Sequence, residues 1–287
     1  MPIRQITIIG VGLIGGSFAL ALRKRGFAGR IVGCDREPVL AQAAQRGLID
    51  HGVVEPRQGV QGSDLVMLAT PVLAIADLIG RVGPALAPAA LLTDVGSTKA
   101  AVTQCALEVF GKDAGRRFLA GHPMAGKEHS GIEYADADLF QNATWFLTPL
   151  PGQNVHEGLF AEFAGWIDQI GARIATLPPE DHDHLCAWIS HVPQMMSTAL
   201  AAALVEEFGE DAPLLPAGGR ALQEMTRISA SPYSMWRDIA LSNRKNLSDA
   251  LFKVEQRLAH IRENLSTRAL AQEFEQAHGL RKKIDDF

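Results

Sequence analysis

The chain has 287 residues, and at about 150 residues per domain that is enough for two domains or one large one. Apolar residues at 47%, charged residues at 21% and a net charge of -5 are those of a globular protein with a sizeable core. They argue against non-specific nucleic-acid binding, which needs a basic surface to displace counterions. Cys34, Cys105 and Cys186 lie far apart without CxxC spacing, which excludes a disulfide scaffold and a cysteine zinc ribbon and suits a reducing cytosol.

After Arg4 the chain runs straight into Ile6-Thr7-Ile8-Ile9, with no charged and then apolar leader. No stretch reaches the ~18 uninterrupted apolar residues of a membrane span. The expectation is a cytoplasmic protein with neither membrane nor nucleic-acid partner.

In chain order, Ile3–Ile9 reads as a strand and Leu13–Arg25 as a helix, with Gly26 where a C-terminal cap belongs. Arg30–Asp35 is a second strand and Pro38–Arg46 a second helix ending at Gly47. Strands follow at Asp64–Thr70, Leu91–Val95, Phe118–Ala120, Ala143–Thr148 and Ala172–Leu177. Helices are expected near Val72–Val82, Lys99–Phe110 and His156–Ile170. This alternation predicts a parallel sheet covered on both faces. After Pro178-Pro179 strand signals stop, and Asp181–Phe208 and Tyr233–Leu265 read as long helices. Leu247, Leu251, Val254, Leu258, Ile261 and Leu265 recur at spacings of 4, 3, 4, 3 and 4, a heptad seam that calls for a second long helix. Within the chain only Asp181–Phe208 offers one, so a homodimer through the helical part is expected. The predicted architecture is an α/β dinucleotide-binding domain of Rossmann type, residues 1–178, followed by an all-helical domain, residues 179–287.

Gly10-Val11-Gly12-Leu13-Ile14-Gly15 fits G-x-G-x-x-G between a predicted strand and a predicted helix. The first glycine permits the tight turn, the second lets backbone approach a pyrophosphate, and the third allows close helix–strand packing. The N–H groups at the helix start, around Leu13 and Ile14, face the phosphates. Asp35 ends the next strand, 20 residues after Gly15, where a carboxylate binds adenosine ribose hydroxyls. A carboxylate repels the 2′-phosphate of NADP, so NAD is the expected cofactor, although the adjacent Arg36 is a residue able to accommodate that phosphate. Cys34 reads as buried apolar filler.

Three further segments combine polar groups with backbone-setting residues. Asp94-Val95-Gly96-Ser97-Thr98-Lys99 opens a helix, and its plain reading is an N-cap by Ser97 or Thr98. Gly121-His122-Pro123 places a histidine at a strand's carboxyl end, where open α/β sheets bind ligands, though a single histidine is also a common structural residue. Thr226–Ile239 carries Arg227 just before a turn, and an arginine there is either a carboxylate clamp or simply solvated. Asp181-His182-Asp183-His184 with His191 looks like metal chemistry, but the spacing points its members to different sides of a helix. It reads instead as an acidic helix start, and no metal is expected.

Taken in order, Gly10–Gly15 with Asp35, Asp94–Lys99, Gly121–Gly131, Ser190-His191-Val192-Pro193 and Thr226–Ile239 resemble the prephenate and arogenate dehydrogenases of tyrosine biosynthesis. The resemblance covers nearly the whole chain. It implies an NAD-binding domain joined to a helical dimerisation domain, and an oxidative decarboxylation of a cyclohexadienol. In that reaction a ring carbon gives hydride to nicotinamide while the ring carboxylate leaves as CO2. By the resemblance His122 is the base that accepts the hydroxyl proton and Ser97 orients it. Arg227 binds a substrate carboxylate, Glu128 and Trp236 are further active-site positions, and His191 lines the same cleft. Two departures stand out. Gln194 replaces a second histidine that often follows the Ser-His-x-Pro element, and Ala221-Leu222-Gln223-Glu224 replaces a Gly-Phe-Arg-Asp-like run.

Gln194 is neutral, and selection of the arogenate ammonium favours a nearby carboxylate. The expected substrate is therefore prephenate, with arogenate or dual use as the alternative. A β-hydroxyacid dehydrogenase or imine reductase, normally dependent on a helical-domain lysine, and an NAD-sensing protein without catalysis remain the more distant readings. Lys245 and Lys253 are the lysines available to the first of these.

Overall fold

The computed structural model describes residues 2–127, 129–209 and 215–285. The first part runs β1 (Gln5–Ile9), α1 (Leu13–Lys24), β2 (Arg30–Cys34), α2 (Glu37–Gln45), β3 (His51–Val53), α3 (Pro56–Gly59), β4 (Leu65–Leu68), α4 (Val72–Val82) and β5 (Leu91–Asp94). It continues with α5 (Ala100–Phe110), α6 (Ala114–Arg117), β6 (Phe118–Pro123), β7 (Thr144–Thr148), α7 (Gly158–Gln169) and β8 (Arg173–Thr176).

The strands form one sheet in the order β3-β2-β1-β4-β5-β6-β7-β8. Its first six strands have the 3-2-1-4-5-6 order of dinucleotide-binding sheets, which reverses direction between β1 and β4 and opens a ligand crevice there. β4 and β5 are buried along their whole length, as expected for parallel strands covered on both faces. Alternate residues go to opposite sides. Ile6, Ile8 and Met67 join Phe18 and Leu22 of α1 and Phe163 and Ile167 of α7. Ile9, Val66 and Leu68 join Val72, Ile75 and Ile79 of α4 and Val102 and Ala106 of α5. This period of two is the reason the apolar runs form strands rather than helices.

Two expectations for the sheet need correction. β3 was not legible, because His-Gly-Val is short and largely exposed. The sheet is also not purely parallel: β6 pairs antiparallel with β7, His122 opposite Phe146, and β7 then pairs parallel with β8. β6 itself runs on through His122 to Pro123 rather than ending at Ala120.

From Pro179 onward the described residues form no strand. They comprise α8 (Pro179–Cys186), a π-helical turn (Ala187–His191), α9 (Val192–Phe208), α10 (Gly219–Thr226), a 3-10 turn (Arg227–Ala230), α11 (Tyr233–Ser242), α12 (Arg244–Glu263) and α13 (Arg268–Asp285). The expected single helix Asp181–Phe208 is thus interrupted. Pro193 has no N–H to give the carbonyl four residues back and its ring crowds that carbonyl, so the widened turn falls over Ala187–His191. The expected helix Tyr233–Leu265 breaks at Asn243 and stops at Glu263, and α10 and α13 were not anticipated. The heptad seam is half used within the chain. Leu247 and Ala250 are buried with Ala187 and Val192, and Leu251 and Val254 pack at the edge of that cluster. Leu258 and Leu265 stay exposed.

Candidate active site

The glycine turn follows directly from steric limits. Gly10 has φ +94°, and a Cβ on it would lie 2.5 Å from the Ala69 carbonyl oxygen. A Cβ on Gly15 would come within 2.1 Å of the Gly10 carbonyl oxygen. Gly12 differs: a Cβ there meets no atom within 4 Å. Its side of the turn is open space against the start of α1, whose first turn has neither a side-chain cap nor an acidic residue. Open space before free N–H groups is what a phosphate needs, so Gly10, Gly12, Leu13, Ile14 and Gly15 fit a dinucleotide. Asp35 closes the crevice on the β2 side. Its carboxylate accepts from Val11 N at 2.8 Å and from Arg36 N at 2.7 Å. The Arg36 side chain is 87% exposed, its Nε 4.0 Å from that carboxylate. Cys34 is buried, and burial pushes its thiol up to about 12, consistent with filler.

His122 sits near the carboxyl end of β6, buried. Its Nδ1 lies 2.9 Å from His182 Nε2. His182 Nδ1 in turn lies 2.9 Å from Asp183 Oδ1. Asp183 reaches from α8 to the start of α5, where its carboxylate accepts from Lys99 N at 2.7 Å and Ala100 N at 2.9 Å. The N-cap expected from Ser97 or Thr98 is therefore supplied from α8 by Asp183, while Thr98 Oγ1 donates to Ser242 Oγ at 2.8 Å. Lys99 is fully buried, paired with Asp94 and donating to the Gly121 carbonyl at 2.6 Å. That bond ties the helix start to the residue before His122. Burial holds the His122 imidazole well below its ordinary pKa, and the neighbouring His182 and Lys99 push it the same way. Burial also lowers His182, against the opposing pull of Asp183. His122 is thus neutral at neutral pH, as a general base must be.

The remaining candidates divide. His191 is buried in the π turn, its ring 5.9 Å from that of Trp236, and Asn243 Nδ2 lies 3.3 Å from its Nδ1. Burial lowers His191 to about 4. Gln194 is buried next to it, its amide donating to Thr198 Oγ1 at 3.2 Å. The indole N–H of Trp236 is buried without a partner among the described residues, as is Ser197 Oγ. Arg227 is exposed on its 3-10 turn. Ser97 is half-buried and makes no hydrogen bond to His122, whose neighbour is His182 instead. Glu128 lies outside the described residues. His182 and Asp183, which by sequence form only an acidic helix start, stand beside His122 in the fold. The structure also brings Cys186 Sγ to 3.4 Å from His182 Nε2, so that His122, His182 and Cys186 hold potential ligand atoms within 4.8 Å of one another. Burial pushes the Cys186 thiol up to about 12.

Residues 18–176 match the prephenate dehydrogenase nucleotide-binding domain and residues 178–279 its dimerization domain. The chain belongs to the prephenate dehydrogenase family. A prephenate dehydrogenase of Lactococcus lactis subsp. cremoris is 32% identical over 292 residues, covering 98% of this chain and 78% of the relative. Among solved structures, prephenate dehydrogenase from A. aeolicus, in complex with hydroxyphenyl propionate and NAD+, superposes with a TM-score of 0.86. It is 30% identical, covering all of this chain and 99% of the other. Synechocystis arogenate dehydrogenase gives 0.79 at 29% identity, covering 98% and 99%. The prephenate dehydrogenase family therefore includes relatives named for either substrate. Among the described residues, no helix is long and apolar enough to cross a membrane.

Proposed function

We propose that the chain oxidises and decarboxylates prephenate with NAD, His122 serving as the base. The observation that carries this reading is a buried histidine, kept neutral by its surroundings, at the carboxyl edge of the sheet in a chain of this family. NAD, when bound, supplies the hydride acceptor. His122 takes the ring hydroxyl proton as the carbon–hydrogen bond gives up its electron pair. The bond to the ring carboxylate then breaks, CO2 leaves, and its electron pair completes the aromatic ring while the ring oxygen takes the proton back from His122, giving 4-hydroxyphenylpyruvate.

Gly10, Gly12, Leu13, Ile14 and Gly15 would hold the pyrophosphate. Asp35 would accept the ribose hydroxyls, with Arg36 at the rim. Arg227 would pair with a substrate carboxylate. Trp236, whose buried N–H has no partner among the described residues, together with His191 and Gln194, would complete the substrate cleft; Glu128 would be a further active-site position, and Ser97 would act beside His122. Prephenate is favoured over arogenate because Gln194 adds no negative charge to offset a buried ammonium. The domain division falls at residue 178.

The assembly is a homodimer through the helical part. Phe208, Tyr233, Leu241, Leu258, Leu265 and Phe274 are all exposed, apolar side chains that a second copy of the helical part would cover. NADH formation measured with prephenate and with arogenate tests the reading. Prephenate should give the higher kcat/KM. A tenfold preference for arogenate would reverse the substrate assignment, and no turnover of either would remove the function.

A further inference from the structure

The sequence around His182 gives no hint of catalysis, yet the structure threads that segment into the base. We propose that His182 and Asp183 are positioning residues that fix which ring nitrogen of His122 carries its proton. The inference rests on the reading of His122 as the base.

Hydrogen bonding along three side chains sets the tautomer. The Asp183 carboxylate only accepts, and it already takes the N–H groups of Lys99 and Ala100. The nitrogen of His182 facing it at 2.9 Å must therefore be an N–H. A neutral imidazole has one proton, so the other nitrogen of His182, Nε2, is a bare acceptor. That acceptor stands 2.9 Å from His122 Nδ1, which must then donate. One proton is again all a neutral ring holds, so Nε2 of His122 is left with a free lone pair. It is the only nitrogen on the ring able to take a proton from substrate. If the order were inverted, His122 would present an N–H and could not act as a base, the fault that a wrong tautomer produces in Ser-His-Asp enzymes.

The arrangement is built to hold. His182, Asp183 and His122 are all buried. The His122 and His182 rings meet edge to face, at 5.1 Å and 69°, and Phe146 packs across His182 at 5.3 Å. Asp183 cannot swing away without uncapping α5, and its own backbone carbonyl is held by Asn243 Nδ2 at 2.7 Å. The thiol of Cys186 flanks the same His182 lone pair at 3.4 Å, a weaker donor than the imidazole N–H. Because His122 belongs to the sheet and His182 and Asp183 to α8, the base is set only when the helical part is docked.

The test uses the full-length protein with nitrogen-15-labelled histidine, together with His182→Leu and His182→Gln. In the wild type the ring-nitrogen spectrum should place the His122 proton on Nδ1. His182→Leu removes the acceptor, so the proton should spread over both nitrogens. kcat should fall about 10- to 100-fold, short of the ~10²–10⁴ expected for losing the base itself, with KM within about twofold. His182→Gln can accept through its amide oxygen and should recover most of kcat and the Nδ1 tautomer. A wild-type spectrum with the proton on Nε2 would overturn the proposal, even if the leucine variant does not fold. So would a folded leucine variant with unchanged kcat and unchanged tautomer. If the wild type turns over no cyclohexadienyl substrate, the functional reading fails while the tautomer measurement still decides the relay.

Discussion

Adding a single methyl group to Gly12 should separate cofactor binding from folding. A Cβ at Gly12 meets no protein atom within 4 Å, and the residue's φ of -87° suits any L-amino acid. The protein cost of Gly12→Ala is a poorer N-cap together with a ψ of -148°, beyond the broad β region of L-residues, about 1 kcal/mol in all. The methyl group instead occupies the space in which a pyrophosphate would approach the α1 N-terminus. Losing one charge-assisted N–H contact to phosphate is worth about 1.5–3 kcal/mol, or roughly 10- to 150-fold in Kd at 1.4 kcal/mol per tenfold. Gly15→Ala is the contrast. Its Cβ would sit 2.1 Å from the Gly10 carbonyl oxygen and 2.8 Å from Ile8 Cγ2, and backbone must move to admit it. Overpacking of that kind costs about 1–3 kcal/mol or more. Calorimetric titration with NAD and urea unfolding without it measure the two effects. Gly12→Ala should unfold near the parent midpoint and bind NAD at least tenfold more weakly, whereas Gly15→Ala should lose stability first. A Gly12→Ala protein binding NAD within twofold of the parent would refute the placement of the phosphates.

Lys99→Met should cost about 3–5 kcal/mol in urea unfolding, because it strands the buried Asp94 carboxylate without its partner; a loss under 1 kcal/mol would mean the pair is not buried as described. His122→Asn should cut kcat by ~10²–10⁴ with little change in substrate KM, while Arg227→Ala should act chiefly on KM, and the reverse pattern in steady-state kinetics would exchange their roles. His191 has a folded pKa of about 4 against an ordinary 6.5, so below pH 6.5 the unfolded chain takes up the proton first. Stability should therefore fall as pH drops from about 6.5 toward 4, by up to about 3 kcal/mol from this group. His191→Gln should lose less stability than the parent between pH 7 and 4.5, and equal losses would contradict the assignment. Leu258→Asp combined with Leu265→Asp should yield a monomer in sedimentation velocity, whereas an unaltered dimer would place the interface elsewhere.

Local chemistry determined a good deal. The apolar runs with period two, the glycine turn and Asp35 at the end of β2 depend on residues close in sequence, so the dinucleotide-binding sheet and its crevice were legible before any coordinates. Arg30–Cys34, Val72–Val82 and Thr144–Thr148 fall where patterning placed them, within a residue or two. His122 was legible by its setting between Gly121 and Pro123 at a strand's carboxyl end. What the tertiary structure alone decided involves partners distant in the chain. His182 contacts His122 across 60 residues, and Asp183 caps α5 from 84 residues away. A spacing rule for one helix could only see that His182 and His184 diverge. The antiparallel turn of β7, the π turn ahead of Pro193 and the break at Asn243 likewise answer to packing and to hydrogen bonds that close between segments. Periodicity carries the face a residue presents, and only the folded chain says what stands opposite that face.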